Sequence, residues 1–264
     1  MNKNTGVYKT TKKNGDIYYR TSITYKRKHI SLGSYDDYDV ASKVYTECKE
    51  IIADTSIGPD NYSSDYSIPY NKFISIINLR DNGIYFPTPI YLRKQFFEYH
   101  LSRKEILKFD RDDLFFYAAH TIQKRGGYLF VSDYGSQYKI LSRYGIKPFA
   151  VYGRDYIMVN GDKSDYRYSN IKIINNYIGV QLKEDDNLTT KYTAQIHING
   201  NYIIGHYNTE TEAAVAYNKA VDTLHSNGFN KAFLKNYIMS LKKDEYLDLY
   251  NKTVISKKIK SLTN

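Results

Sequence analysis

Residues Gly179–Tyr217, GVQLKEDDNLTTKYTAQIHINGNYIIGHYNTETEAAVAY, carry the pattern that decides the fold. Side chains alternate at period two over Tyr192–Ile198 and again after the turn at Asn199-Gly200, which is typical of a β-hairpin. Thr209 and Glu212 have the spacing of a capping box, so a helix is predicted to start there. We therefore predict three short strands followed by one helix with an alanine-rich face.

The same pattern occurs near the other end of the chain. Gly6-Val7 matches Gly179-Val180, and Leu32–Tyr35 matches Ile204–Tyr207. The offset is 173 residues at the first match and 172 at the second, so one residue is missing from a hairpin between them. Two copies indicate two similar modules rather than a solenoid. We predict an α+β fold in which two small modules, each a three-stranded antiparallel sheet plus a helix, flank a mixed α+β middle domain.

Composition along the chain suggests where these parts begin and end. The predicted segments are a first module (1–55), a polar linker (56–69), a middle domain (70–176), a second module (177–238) and a basic helical tail (239–264). Within the middle domain the pattern predicts helices over 92–107 and 112–124 and a strand over 128–131.

Net charge and cysteine usage narrow the class of protein. A net charge of +10 over 264 residues favours a polyanionic partner, chiefly nucleic acid, although lysines can also serve solubility alone. The single cysteine, Cys48, excludes a disulfide framework and a cysteine zinc site. No apolar run has the length of a membrane span. We expect a cytoplasmic, nucleoid-associated protein with no membrane partner, no cofactor and no metal.

The first module combines a basic sheet with hydrogen-bonding side chains. Its first 33 residues hold one acid, Asp16. Alternation places Tyr19, Thr21 and Ile23 toward the core, so the opposite face is polar and can bind DNA or be merely solvated. The candidate DNA-binding residues here are Tyr8, Thr10, Arg20, Ser22, Thr24, Lys26, Arg27, Lys28, His29 and Ser31. We expect the four cations to contact phosphates and the smaller polar residues to read bases.

The second sheet is less basic, because three acids at 184–186 offset Lys183 and Lys191. Its candidate DNA-binding residues are Gln181, Lys183, Gln195, His197 and Asn201. Glutamine and asparagine can bond adenine through two hydrogen bonds. The same residue types are also normal on any polar sheet face.

These motifs together resemble the plant apetala-two/ethylene-response-factor (ERF) DNA-binding domain. Residues 179–217 match it closely, through Gly-Val, Tyr-x-Ala-x-Ile, Ile-Gly-x-Tyr and Thr-x-x-Glu-Ala-Ala-x-Ala-Tyr, and residues 6–45 match more loosely. The resemblance implies a three-stranded antiparallel sheet that packs on one helix and reads the DNA major groove. It implies contacts at Tyr8, Thr10, Ser22, Thr24, His29, Ser31, Gln181, Lys183, Gln195, His197, Asn201 and Ile203. The plant domains hold several arginines and tryptophans at such positions, so their target sequence does not carry over to this chain.

Residues 155–173 are similar to the HNH homing-nuclease motif, which in bacteria and phages often precedes such a domain. The matching positions are Asn160, Gly161, Asp162, Asp165, Arg167, Asn170 and Ile171. The histidine that would activate water falls on Met158, which cannot accept a proton. We therefore predict a nuclease-like scaffold without catalytic residues, in which Asp162, Asp165 and Asn170 fasten turns.

The sequence predicts a non-enzymatic, sequence-specific double-stranded DNA-binding protein that is compatible with a homodimer. It would serve as a transcriptional regulator or a mobile-element accessory factor. The first alternative is an active HNH-type homing endonuclease that uses Mg²⁺ with Asp155, Asp162 or Asp165. The second is an RNA-binding or protein-assembly module.

Overall fold

The computed structural model of the chain describes residues 6–184 and 190–263 and has an α+β fold. Its named strands pair into small antiparallel sheets, most of them three-stranded, as predicted. The chain divides into two compact units: one runs to Ile140 and includes Asp162–Asn170, and the other comprises Leu141–Gly161 and the chain from Ile171 onward. Within the described ranges, no helix is both long and apolar enough to cross a membrane.

The first unit begins with a three-stranded sheet and a helix. These elements are β1 (Val7–Thr11), β2 (Ile17–Tyr25), β3 (Lys28–Tyr35) and α1 (Tyr38–Ala53), with the strands in the order β1-β2-β3. Asp37 caps α1 by accepting a hydrogen bond from the N–H of Val40. Ile30 and Leu32 of β3 pack with Cys48 of α1 in one buried cluster. The predicted order of three strands and a helix is confirmed for these residues.

Helix α2 (Tyr70–Asn82), which the sequence pattern did not indicate, extends the same core. The preceding segment, predicted as a linker, is packed against this core. Ile68 is fully buried, and its N–H donates to the Glu47 carboxylate at 2.8 Å. Arg80 donates to the carbonyl oxygens of Ile51 and Asp54, both at 2.7 Å, where α1 ends. The first sheet and α1 therefore share one core with residues 57–82.

The rest of the first unit is mostly strand. Its elements are β4 (Ile90–Leu92), β5 (Phe96–Ser102), β6 (Glu105–Asp110), α3 (Leu114–Ala119), β7 (Ile122–Arg125), β8 (Tyr128–Asp133) and β9 (Ser136–Lys139). The helix predicted over 92–107 is wrong, because Phe97 pairs with Phe109 and Tyr99 with Leu107, all buried on one face. The helix predicted over 112–124 shortens to α3, because β7 pairs with β8. The strand predicted at 128–131 is confirmed.

The second unit holds the other sheet-and-helix module. Its elements are β10 (Tyr156–Met158), β11 (Ile171–Ile173), β12 (Val180–Glu184), β13 (Thr190–His197), β14 (Asn201–Tyr207), α4 (Glu210–Ser226), α5 (Lys243–Lys252) and α6 (Lys257–Ser261). Strands β12, β13 and β14 form a sheet in that order. The predicted capping box is present, because the Thr209 hydroxyl accepts from the Glu212 N–H at 3.1 Å and the Glu212 carboxylate accepts from the Thr209 N–H at 3.2 Å.

The chain after α4 belongs to this core rather than forming a separate tail. Ile255 and Ile259 are buried in the same cluster as Ile204. The N–H of Ser256 donates to the carbonyl oxygen of Ile204 at 2.8 Å, so residues next to α6 satisfy part of the edge of β14. The lysines of α6 remain exposed.

Candidate nucleic-acid interface

The outer face of the first sheet, opposite α1, carries the residues predicted to bind DNA. Cross-strand neighbours on this face are Tyr8 with Arg20, Thr10 with Tyr18, Ser22 with Ser31 and Thr24 with His29. Thr21, Ile30 and Leu32 lie on the inner face and are at most 1% exposed, which confirms the predicted alternation. None of the paired positions described on the outer face is an acid. This face therefore presents hydroxyl, imidazole and guanidinium groups without a competing carboxylate.

The cations of this sheet differ in their surroundings. Arg20 is exposed, with its guanidinium carbon 6.0 Å from the ring centre of Tyr18. Arg27 is exposed at the tip of the hairpin, where its φ is 63°. The Lys28 ammonium lies 5.8 Å from the ring centre of Tyr85. Arg20 and Arg27 are thus the cations best placed to meet a phosphate.

Lys26 contacts the protein itself, which the sequence did not predict. Its ammonium donates to the carbonyl oxygen of Arg80 at 2.9 Å and lies 3.5 Å from that of Leu79, at the C-terminal end of α2. A cation at this end of a helix interacts favourably with the helix dipole. The hairpin therefore offers two cations, rather than three, to a phosphate backbone.

We expect Lys26→Gln to lower the free energy of unfolding by about 0.5–1 kcal/mol, because the last carbonyls of α2 lose their cation. Urea unfolding followed by circular dichroism measures the change. Arg27→Gln is the matched control, since it removes a neighbouring charge from the same left-handed turn, and its effect should stay within about 0.5 kcal/mol. Equal losses from both substitutions would contradict a capping role for Lys26.

The outer face of the second sheet is also polar. Cross-strand neighbours are Gln181 with Thr193, Thr193 with His206, Gln195 with Ile203, His197 with Asn201 and Lys183 with Lys191. The His197 Nδ1 and Asn201 Oδ1 atoms are 2.9 Å apart. The counterpart of Arg20 is Thr193, so this sheet has no arginine at its centre. Thr193 is 1% exposed, so the centre of this face is buried. Asp185 and Asp186, expected to offset the lysines, lie outside the described residues.

The two sheets share local geometry at the positions that the sequence offset relates. The carbonyl oxygen of Gly6 accepts from the N–H of Ser22 at 2.9 Å, and that of Gly179 accepts from the N–H of Gln195 at 2.7 Å. A β-bulge directly precedes Ser22 in one sheet and Gln195 in the other. The sequence repeat is therefore also a repeat of hydrogen bonds and register.

The residue missing from the repeat is located in the second hairpin of the module. In the first sheet the pair Thr24–His29 encloses four residues, and in the second the pair His197–Asn201 encloses three. The pairs on either side of the hairpin remain equivalent. The predicted slip at a hairpin is confirmed.

A buried network links the segment before β10 to the edge of β12. Asp155 is 3% exposed and accepts hydrogen bonds from the Arg154 Nε at 2.9 Å and the Asn175 amide at 3.2 Å. The Asn175 Oδ1 accepts from the N–H of Leu182 at 2.8 Å. Burial raises the pKa of Asp155, but hydrogen bonds from Arg154, the Val151 N–H and Asn175 outweigh burial and lower the pKa overall. Asp155 therefore stays ionised and orients Arg154.

We expect Asp155→Asn to lower the free energy of unfolding by about 1 kcal/mol at pH 7. The expected loss is this small because Arg154 is half-exposed, so that solvent screens its ion pair with Asp155. A carboxylate with a lowered pKa stabilises the fold fully above its unfolded pKa of about 4, and this contribution disappears as the pH falls through its lower folded pKa. The difference between the two chains should be constant at neutral pH and shrink below about pH 4. Urea unfolding at several pH values measures it, and a gap that widens on acidification would contradict this account.

Arg154 also lines a pocket beside the second sheet, which sequence reasoning missed. The pocket measures about 220 Å³, and the polar side chains that line it are Arg154, Gln181, Gln195, His197, Asn201 and Tyr217 of α4. Arg154 lies in a loop without periodicity, and the similarity to the HNH motif begins one residue later. The sequence therefore contains no signal that would have identified it.

The HNH-like segment places Met158 in the interior. Met158 is 5% exposed and pairs with Ile171 across β10 and β11. The position that would carry the HNH histidine therefore packs as an apolar side chain. It contributes to the core of the second unit.

The acids that a nuclease would use are engaged with cations. The pairs are Asp155 with Arg154 at 2.5 Å, Asp162 with Lys108 at 3.0 Å and Asp165 with Arg167 at 2.5 Å. Asp162 also accepts from the Ser164 N–H, and Asn170 donates to the Asp165 carbonyl, in agreement with the predicted turn-fastening roles. In the ranges 6–184 and 190–263, no group of three or more His, Cys, Asp or Glu side chains could hold a metal ion.

Comparison with known proteins finds no match to this chain. No protein-family model, no curated protein and no solved structure matches the chain. The resemblances to the ERF domain and to the HNH motif therefore rest on the residues quoted above.

Proposed function

We propose that the chain is a sequence-specific double-stranded DNA-binding protein that reads the major groove with two ERF-like sheets. In this proposal the modules stand at the two ends of the chain and the HNH-like middle serves as a scaffold. The biological role would be that of a transcriptional regulator or a mobile-element accessory factor, associated with the nucleoid.

The observation that carries the proposal is the repeated module with an exposed polar face. Both sheets have the same bulge and the same glycine hydrogen bond. Exposed polar side chains on their outer faces include Arg20, Thr24 and His29 in the first sheet and His197, Asn201 and His206 in the second. A twisted β-ribbon fits the width of the major groove, where base edges present distinct donor and acceptor patterns. The acid-free first face and the net charge of +10 favour a polyanionic partner.

Two modest binding faces on one chain support specificity through effective concentration. Once the first face engages DNA, the second binds as an intramolecular event, so overall affinity exceeds that of either face. This favours a target with two spaced half-sites. A homodimer would add further half-sites by the same argument.

Selection of bound duplexes from a random pool tests this function. The full chain is incubated with the pool in the presence of Mg²⁺, and recovered DNA is sequenced and checked for breaks. The expected result is an intact, enriched motif with two spaced halves. A pool without enrichment would overturn DNA reading and direct the search to RNA or a protein partner.

Cleaved products in the same experiment would favour the homing endonuclease instead. The pairing of Asp155, Asp162 and Asp165 with cations argues against this candidate. Nicking of plasmid DNA that requires Mg²⁺ and disappears in Asp162→Ala would support it. We expect no Mg²⁺-dependent nicking from the wild-type chain.

A further inference from the structure

The second sheet has no arginine on its outer face. Arg154, from the loop before β10, lines the pocket beside this sheet. Arg20, at the centre of the first sheet, corresponds to the buried Thr193 of the second. Arg154 lines the pocket that Gln181 and Gln195 also line. Its side chain is 45% exposed, so it is accessible to a ligand. The polar surface of the second module is thus composite, built from the sheet and from the loop before β10.

The Asp155 carboxylate accepts hydrogen bonds from one edge of the Arg154 guanidinium, formed by Nε and Nη2. These hydrogen bonds measure 2.9 and 3.0 Å from Nε and 2.5 Å from Nη2. Within the described residues, Nη1 of Arg154 has no hydrogen-bond partner. The end of the fork formed by Nη1 and Nη2 therefore remains available in a fixed orientation.

The carboxylate also changes what this arginine can recognise. Because Asp155 is ionised next to it, the pair is close to neutral, and the sequence-independent attraction to phosphate is weakened. A rigid fork with two parallel donors instead matches a pair of acceptors in one plane. In the major groove, the O6 and N7 atoms of guanine provide such a pair.

The neighbouring side chains suit adjacent base edges. Gln181 and Gln195 are half-buried, and neither side chain has a hydrogen-bond partner within residues 6–184 and 190–263. A glutamine amide can bond adenine N6 and N7. His197 and Asn201, whose Nδ1 and Oδ1 atoms are 2.9 Å apart, also line the pocket, as does Tyr217.

We propose that Arg154, held by Asp155, reads a guanine in the half-site of the second sheet. This inference rests on the proposed function, since it requires that the chain bind duplex DNA. It assigns a specificity-determining role to a residue outside both ERF-like modules. It also gives the HNH-like middle a part in recognition as well as in support.

Duplex selection and binding with Arg154→Lys test the inference. Lysine keeps the charge but lacks the planar fork, so the variant should lose the preference for one G·C pair and bind the selected site about tenfold or more weakly. The salt dependence of binding should stay the same, because no phosphate contact is removed. Arg143 is an exposed arginine of the same unit that does not line the pocket, so Arg143→Lys is the matched control and should keep the wild-type motif and affinity.

A second arm uses the wild-type chain, so it does not depend on the folding of a variant. Each guanine of the selected site is replaced in turn by 7-deazaguanine, which lacks the N7 acceptor. One replacement should weaken wild-type binding by about tenfold and leave Arg154→Lys unaffected. If no guanine behaves in this way with the wild-type chain, the inference is overturned.

The remaining outcomes separate the inference from the proposed function. If the wild type selects a motif and Arg154→Lys selects the same one, Arg154 does not read a base, while DNA reading stands. If Arg154→Lys binds every sequence equally more weakly, with a shallower salt dependence, the arginine contacts phosphate and guanine reading is wrong. If the wild-type chain enriches no duplex at all, the proposed function fails and the inference fails with it.

Discussion

Replacement of both Arg20 and Arg27 by glutamine is expected to weaken binding to the selected duplex by about 30-fold at 0.15 M salt. Each phosphate contact releases condensed counterions, and this release contributes more to affinity as the salt concentration falls. Relative to 1 M salt, the loss of one contact lowers log K by about 0.9 for each tenfold decrease in salt concentration. Two lost contacts should also make the plot of log K against log salt shallower by about two units. Fluorescence anisotropy with a labelled duplex at several salt concentrations measures both quantities.

The matched control removes the same number of charges elsewhere. Lys257 and Lys260 are exposed on α6, and their replacement by glutamine changes the net charge by the same amount. We expect the control to lose less than about threefold in affinity, because non-specific attraction alone is affected. Equal losses from the two double variants would mean that the first sheet face is not the binding surface. Lys26 is left unchanged in both, since its loss would disturb the end of α2.

Gly179→Ala is expected to lower the free energy of unfolding of the second unit by about 3 kcal/mol. Gly179 has a φ of +69°, and a Cβ there would lie 2.3 Å from the Gln195 carbonyl oxygen and 2.5 Å from the ring of Tyr217. Gln195 pairs with Ile203 across β13 and β14, and its N–H donates to the Gly179 carbonyl oxygen, so the Gln195 backbone cannot shift without disturbing this pairing. Urea unfolding followed by circular dichroism measures the loss.

Two other glycines serve as controls. Gly200→Ala should be neutral to within about 0.5 kcal/mol, because nothing lies within 4 Å of its Cβ position and its φ is not positive. Gly6→Ala, the equivalent change in the first module, places a Cβ 2.0 Å from the ring of Tyr45 and 2.7 Å from the Ser22 carbonyl oxygen, so it should also destabilise the fold. A neutral Gly179→Ala would show that the β12–β13 ladder tolerates displacement at this point.

Local patterns predicted much of the two end modules. Period-two alternation placed Thr21 inside and Arg20 outside, and the spacing of Thr209 and Glu212 marked the start of α4. A hairpin register is encoded by neighbouring residues, so a single sequence contains enough information to read it. The same holds for the repeat, where the one-residue difference between offsets located the shortened hairpin.

Local patterns failed where distant partners decided the structure. Residues 92–107 carry polar residues at spacings that also suit a helix, but Phe97, Tyr99 and Phe109 are buried by pairing across strands. Burial of aromatic side chains against a sheet outweighs helix propensity, which is worth only a fraction of a kcal/mol per residue. The pattern cannot reveal such pairing before the partner strand is known.

The sequence by itself determined the three strands and the helix near each end of the chain and the alternation of Arg20 and Thr21 between the two faces of the first sheet. Only the tertiary structure decided that Lys26 holds α2 rather than facing a phosphate, and that Arg154 joins the polar pocket beside the second sheet. The physical reason is the separation along the sequence between the residues that interact. Alternation and capping arise between residues a few positions apart, whereas the partner of a long cation is set by segments that the fold brings together.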